Sequence, residues 1–591
     1  MYIYIFHHFK LNINLLNYNY VNIIWMDSLK IRIHNRDYSS YEIVNASTLE
    51  TTEETVNAVK NKLFNHDVFK KDECGNVQVY HSTVRSMPNI PGVLLLDTKR
   101  TYGKVKKKFL YKLIPDDKRL PEFLVAYKKR IGFNKKSVNK YVVFKFKHWD
   151  NKHPVAQLDQ VIGDVNILDN FYEYQLYCKS LYASIQDFTK ATLRKIKKQS
   201  EDEFIDDIMK KYHPEDRRSW DVYSIDPPTS KDFDDAFSFK EDKKYYYLSI
   251  YISNVSFWMD ALELWDSFSQ RISTIYLPNR KRPMLPTILS DAICSLQENQ
   301  TRFAFTLDLV FNKTYDLVNY SYKNTCIIVK KNFRYETDEL LKFDLYKRLF
   351  KFIKYLNRKE KYIDNIKSSH NLVAYLMIYM NYMSAKEMIK HNVGIFRSAE
   401  LKSDFTCPEN VSENIKSFLK HWNSYGGAYL KFDEKKEHQI LELDAYVHIT
   451  SPIRRLVDLL NIIILQKSLN MTNLSENATQ FLDYWTSDEK ICYINKTMKA
   501  IRKVQNCCEL LRICVEDNFE KKKIYKGFIF DRMERNDGLF QYMIYLPEIK
   551  MVNRLIARQN KECLSSNNFK LFTFMDESNF KQKIRVEFDE S

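Results

Sequence analysis

Residues 224–239 read SIDPPTSKDFDDAFSF. Asp226, Asp232, Asp234 and Asp235 fall within ten positions, among apolar Ile225, Phe233, Ala236, Phe237 and Phe239. Four carboxylates this close repel one another, and a fold tolerates them when a hard cation such as Mg²⁺ neutralises the charge through oxygen ligands. Paired metals recur in phosphodiester cleavage, where they activate the attacking water and steady the leaving oxygen. Pro227-Pro228 holds Asp226 in an extended backbone just before the turn. An exposed acidic loop is the plainer reading. The apolar flanks and the basic chain around the cluster favour a metal site.

That basic character is uneven. The chain has 591 residues, a formal net charge of +17 and a sequence pI ≈ 9.1. With 45% hydrophobic and 28% charged residues it is globular rather than disordered, and its length allows three to five domains. So basic a chain is expected to meet a polyanion, most often nucleic acid. Residues 99–147 hold seventeen Lys/Arg against three Asp/Glu, fourteen of the seventeen net positive charges. Tyr102, Phe109, Tyr111, Phe123, Tyr127, Phe133, Tyr141, Phe144 and Phe146 are interleaved with them. Basic grooves with aromatic stacking faces hold single-stranded nucleic acid. Each aromatic taken singly reads better as a core residue, whereas the segment as a whole reads as a nucleic-acid surface.

Around this window the runs GVLLLD, FLYKLI, EFLVAY and YVVFKFK, separated by polar turns, predict a small barrel. A helix-like spacing covers Glu53 to Phe64. Helices are expected over 177–212, 335–420 and 453–515, and strands return over 524–591 as a second barrel. Residues 1–25 lack both the ~20-residue apolar run of a spanning helix and the cleavage site of a signal peptide. They are expected to lie outside the fold, and no membrane association is expected. The ten cysteines lack C-x-x-C or zinc-ligand spacing, which points to reduced thiols in an intracellular compartment, cytoplasmic or nuclear.

The string D-P-P-x-x-x-x-D-x-D-D resembles the signature of the RNB exoribonucleases of the ribonuclease II, ribonuclease R and Rrp44/Dis3 type. Two further blocks resemble that family: RISTIYLPNRKRPMLPTILSDAICSLQENQTRFAFTLDLVF at 271–311 and HITSPIRRLVD at 448–458. Asn381 followed by GIFRSAE at 394–400 is a fainter echo. The resemblance implies a multi-domain α+β chain, with a mixed α/β RNB catalytic domain flanked by small OB-type β-barrels, cold-shock-like before it and S1-like after it. The expected boundaries are 1–25 extension, 26–95 N-terminal mixed region and candidate first cold-shock-like barrel, 96–190 basic OB/cold-shock-like barrel, 191–515 RNB domain and 516–591 S1-like barrel.

The implied activity is Mg²⁺-dependent, hydrolytic 3′-to-5′ degradation of single-stranded RNA to nucleoside 5′-monophosphates, using one or two ions. By the same resemblance Asp226, Asp232 and Asp235 are metal ligands, and Asp234 belongs to the same centre and touches the terminal sugar. Tyr276 stacks on the last base, and Arg454 contacts the phosphate under attack. Arg455, Arg271 and the run Lys106-Lys107-Lys108 are expected to bind RNA. Thr450-Ser451-Pro452 also reads as a helix start with Ser451 as its cap. Leu456, Ile462 and Tyr375 stand where the family has Tyr, His and Glu, and Glu509 is the nearest match to a late acidic residue. The chain is expected to work as a monomer, alone or within a larger RNA-decay assembly. Two alternatives remain open from the residues: a catalytically silent RNA-binding regulator on the RNB fold, and a two-metal nuclease acting on DNA.

Overall fold

A computed structural model describes residues 28–98, 100–129, 137–402, 411–432, 437–520, 523–577 and 580–589. The extension expected at 1–25 lies outside these residues, as do Lys99, Arg130, Phe133, Lys135 and Lys136 of the basic window. The chain forms two compact units, one built from the chain up to Tyr182 and from Lys503 onward, the other from Ala183 to Arg502. Among the described residues no helix is long and apolar enough to cross a membrane.

The first unit opens with a four-stranded antiparallel sheet, in the order Tyr41–Asn45, Leu29–Ile33, Val68–Lys71, Val77–His81. Residues 53–64 do not form the helix their spacing predicts. They run through successive turns: the Asn57 side chain accepts from Lys60 N (2.9 Å) and Lys62 takes a left-handed φ of 56°, so no helical ladder propagates. The basic window folds into a strand ring. Ile90–Leu94 pairs with both Lys140–His148 and Lys108–Pro115, and Phe123–Tyr127 and Val155–Asp164 complete the circuit. Tyr111, Phe123, Tyr141 and Phe144 are buried, as the reading of single aromatics expected, and Tyr102 and Phe109 remain exposed. The C-terminal strands form a five-stranded antiparallel sheet in the order Met551–Ala557, Phe540–Leu546, Ile524–Glu534, Ser566–Asp576, Lys581–Phe588. Within this unit Tyr141 Oη donates to Phe580 O (2.6 Å) and Lys581 pairs with Asp116 (2.5 Å).

The second unit is organised by a closed five-stranded barrel: Glu215–Asp226, Asp235–Glu241, Tyr245–Ser253, Thr301–Asn312 and Leu317–Arg334. Alternation along these strands separates two faces. Leu248, Ile250, Ile252, Phe305, Leu307 and Leu309 pack outward against Leu349, Phe352, Leu372 and Leu376 of the helices Asp344–Lys359 and Ser369–Lys390. Burying each such side chain stabilises by about 1.5–3 kcal/mol. Val222, Ala236, Tyr251, Ala304, Ile327 and Val329 form a separate cluster. The buried guanidinium of Arg217 grips both Asp308 oxygens (2.7 and 2.6 Å), tying the first barrel strand to the fourth. The first strand pairs parallel to the fifth, setting Asp226 opposite Arg334, while the second pairs antiparallel to the third, setting Asp235 opposite Ile252. Mixed α/β architecture with β-barrel sheets is therefore the fold class observed.

Candidate active site

Asp226 is the last residue of the first barrel strand and Asp235 the first of the second, so the turn between them carries the other two carboxylates. Ser230 N closes that turn onto Pro227 O (3.0 Å). Its far end is pinned by Phe233 N donating to Ser295 Oγ (2.9 Å) and by Leu296 N donating to Phe233 O (3.0 Å). Neighbouring aspartates are thereby directed to different partners.

Asp226 accepts from Ser224 Oγ (2.8 Å), which itself accepts from Asn332 Nδ2 (2.7 Å). Burial raises the Asp226 carboxyl to about 6. Asp235 is pushed well above the ordinary carboxylate range, first by burial and then by Asp226 and Asp234. Its Oδ2 is buried without a hydrogen-bond partner. Asp234 is compensated differently. Its Oδ1 accepts from Ile453 N (3.0 Å) and its Oδ2 from Arg454 Nε (3.1 Å), yet burial still raises it to about 7. Asp232 accepts from Lys281 Nζ (3.0 Å) and from the Tyr276 hydroxyl (3.4 Å).

Tyr276 and Lys281 face each other across a short hairpin, Ile275–Tyr276 with Lys281–Arg282, which is why both reach one carboxylate. Tyr276 is 41% exposed. Lys281 also binds Asp291 (3.0 Å), which sits in the short π-helical turn Leu289–Ile293.

The SPIRR segment departs from the predicted helix start. Residues 452–454 form a turn, Arg455 bridges to Ser273, and the helix begins at Leu456 with Arg455 as its N-cap residue. Arg454 N and Arg455 N turn back onto Ser451 O within the segment, whereas Ile453 N is taken by Asp234 and Leu456 N by Ile272 O (2.9 Å). Asp458 fastens the loop from inside the helix, accepting from Ser451 N and Arg455 Nη2 (both 2.8 Å). Asn381 braces it further through Ile449 N (3.0 Å). Arg454 extends outward with its side chain 45% exposed, and Asp234 holds it firmly charged.

The structure thus brings Asp226, Asp232, Asp234, Asp235, Tyr276 and Arg454 together. Arg455 lies behind them on Asp458, and Arg271 donates to the carbonyls of Pro283 (2.9 Å) and Ala183, bracing the loops. Lys106, Lys107 and Lys108 lie in the other unit, exposed on the hairpin Lys104–Val105/Lys108–Pro115. Glu509 is also in that unit, paired with Arg512 (2.6 Å). Leu456 and Ile462 are buried in apolar clusters, and buried Tyr375 donates to Glu360 O (3.1 Å). Sequence reading passed over Lys281 and Tyr335. The hairpin register, five positions across a Pro-containing turn, is the signal that pairs Lys281 with Tyr276. Tyr335 follows Arg334, and its amide donates to Asp226 O (3.1 Å). Burial, then Asp235 and Asp226, push its phenol up, and its ring stacks on His370 with centroids 3.6 Å apart.

Among the described residues no three His, Cys, Asp or Glu side chains stand together as a ready metal cage. Arg454 and Lys281 each engage one aspartate of the turn, leaving Asp226 and Asp235 as the pair with no basic side chain in direct contact among the described residues. Two mutually repelling buried carboxylates with one orphaned oxygen fit a hard divalent cation.

A family model for the RNB domain matches residues 215–344, which span the barrel, the turn of aspartates and the hairpin that clamps Asp232. The chain carries an RNB domain. Ribonuclease R of Chlamydia pneumoniae is 26% identical over 313 residues, covering 42% of this chain and 46% of that protein. The chain spans about half the length of the curated relatives it matches. Mycoplasma genitalium RNase R, solved with ribose-methylated single-stranded RNA, superposes with a TM-score of 0.64 at 16% identity, covering 95% of this chain and 100% of that one. Yeast Ssd1, described as a pseudonuclease, superposes with a TM-score of 0.55 at 12% identity over 92% of this chain and 80% of its own. At these identities the likeness is one of fold, shared with an RNase R and with a pseudonuclease alike.

Proposed function

We propose that the chain is a hydrolytic 3′-to-5′ exoribonuclease that uses Mg²⁺, acts on single-stranded RNA and releases nucleoside 5′-monophosphates. The observation that carries this reading is the convergence of the buried Asp226/Asp235 pair, with its orphaned Oδ2, on the same centre as Asp234–Arg454 and Tyr276. A divalent ion bound by Asp226 and Asp235 would supply positive charge at the scissile phosphate and lower the pKa of the attacking water.

The remaining roles belong to the chain's own residues. Arg454, oriented by Asp234 and by Ser451 Oγ (3.0 Å), presents its exposed guanidinium edge to the phosphate oxygens, where charge grows in the transition state. Tyr276, tethered by its hydroxyl to Asp232, offers a ring face to the terminal base. Water adds at the last phosphorus, the bond to the upstream 3′ oxygen breaks, and the released nucleotide keeps its 5′ phosphate. Exposed Lys106–Lys108 collect RNA by charge. The solved RNase R bound to single-stranded RNA supports this substrate class by analogy of fold. The likeness to a pseudonuclease favours one competing reading, an RNA-binding protein without hydrolysis. Retention of all four aspartates argues against it.

Asp235→Asn tests the assignment. It removes the charge of the unpartnered carboxylate at nearly constant shape, and is expected to lower cleavage of a poly(A) oligomer at least a hundredfold while leaving its affinity within about twofold, since the binding charge lies elsewhere. Cleavage within a few-fold of wild type would remove this cluster from the chemistry.

A further inference from the structure

Two of the four aspartates in this site take a basic side chain in direct contact, and the pairing is selective. Arg454 takes Asp234, while Lys281 lies 3.0 Å from Asp232 Oδ1 and 3.0 Å from Asp291 Oδ1. An ammonium bridging two carboxylates sits where a divalent ion shared by them would sit, and its tetrahedral donors satisfy both oxygens. The position is enforced from three sides. The hairpin register sets Lys281 against Tyr276, the Tyr276 hydroxyl holds the other Asp232 oxygen, and Ser290 Oγ donates to Asp291 Oδ1 (2.6 Å). The Lys281 side chain is only 26% exposed, so little water screens these pairs. A second metal at Asp232 would have to expel an ammonium already seated on its oxygen.

We propose that Lys281 replaces a second divalent cation at Asp232, so that the centre takes a single ion, held by Asp226 and Asp235. This rests on the reading of the aspartate centre as a metal site and fixes its stoichiometry. Lys281 acts as a positioning residue: its fixed charge neutralises Asp232 and keeps that carboxylate turned towards the hairpin.

The test counts Mn²⁺ ions bound to the full-length protein without RNA, by the free-Mn²⁺ electron paramagnetic resonance signal and by calorimetry. Wild type is expected to bind one Mn²⁺ per chain, and Asp235→Asn none. Lys281→Met and Lys281→Gln, the latter keeping a hydrogen-bonding group without charge, are expected to bind two. Lys281→Arg is expected to bind one, because the charge is restored. Circular dichroism and thermal melting confirm that each variant is folded, and the Gln variant carries the test if the Met variant is not. One ion in the Met or Gln variant, with wild type and Asp235→Asn as expected, would overturn the role of Lys281 and leave the metal centre standing. Two ions in wild type would overturn it equally. Failure of wild type to bind Mn²⁺ would overturn the metal centre itself, and the inference with it.

Discussion

The carboxylates of the centre differ by partner rather than by type. Asp226 is raised to about 6 and Asp234 to about 7, both chiefly by burial, and Asp235 is pushed well above its ordinary range by burial and its acidic neighbours. In the unfolded chain each titrates near 3.8. Between about pH 4 and pH 7 the metal-free folded protein therefore holds more protons than the unfolded one, and stability falls as pH rises through that window. Each unit of displacement is worth about 1.4 kcal/mol, so Asp226 and Asp234 together are expected to lose on the order of 4 kcal/mol between pH 5 and pH 8 in EDTA. Asp67, also buried and raised to about 6, slopes the same way. The contribution of the site is isolated by comparison: Mg²⁺ should raise the melting temperature more at pH 8 than at pH 5, and Asp235→Asn should melt higher than wild type in EDTA at pH 8. A Mg²⁺ response that is equal at the two pH values would contradict the assignment. Residue identity made these aspartates legible in the sequence, because four carboxylates among apolar neighbours demand compensation. Which of them Arg454 and Lys281 would compensate was not legible, since that depends on a loop and a hairpin brought in from elsewhere in the chain.

Elements with local causes were the readable ones. The helix Glu201–Tyr212 begins at a capping box, Ser200 with Glu203, written into its own four residues. The SPIRR segment does not start a helix because Ile453 N answers to Asp234 and Leu456 N, just beyond it, to Ile272, which no local pattern reveals. The spacing at 53–64 failed for the opposite reason: Asn57 supplies a local hydrogen bond that competes with the helix. The basic hairpin places a lysine where its turn does not favour one. Lys106 occupies its tip at φ 55°, a conformation favouring Gly or Asn, with Lys104 over the exposed Phe109 ring at 5.7 Å. Replacing Lys106, Lys107 and Lys108 with Glu together should leave the fold and the cleavage of saturating short RNA unchanged. It should weaken binding of long RNA and flatten the slope of log K against log salt by ~0.7 for each phosphate the hairpin no longer neutralises. An unchanged salt slope in filter binding would show that the hairpin does not face RNA.

At the scale of the molecule, the two units divide the proposed work. The unit Ala183–Arg502 contains every residue of the candidate centre, and the unit formed by the two ends of the chain contains the lysine hairpin and the C-terminal sheet. Fold class was legible because alternating strand runs and long helical spacings are carried by many residues at once, so single errors cancel. That the N-terminal and C-terminal sheets share one unit was not legible, because hydrogen bonds such as that from Tyr141 to Phe580 join residues more than four hundred positions apart. An RNA-specific 3′-to-5′ hydrolase is tested most directly by time courses on matched single-stranded RNA and DNA oligomers, labelled at the 5′ end, with Mg²⁺ or EDTA. The expected result is a ladder of RNA shortened one nucleotide at a time from its 3′ end, nucleoside 5′-monophosphates as the released product, intact DNA, and no reaction in EDTA. Tight RNA binding with no shortening in Mg²⁺, or equal degradation of DNA, would contradict it.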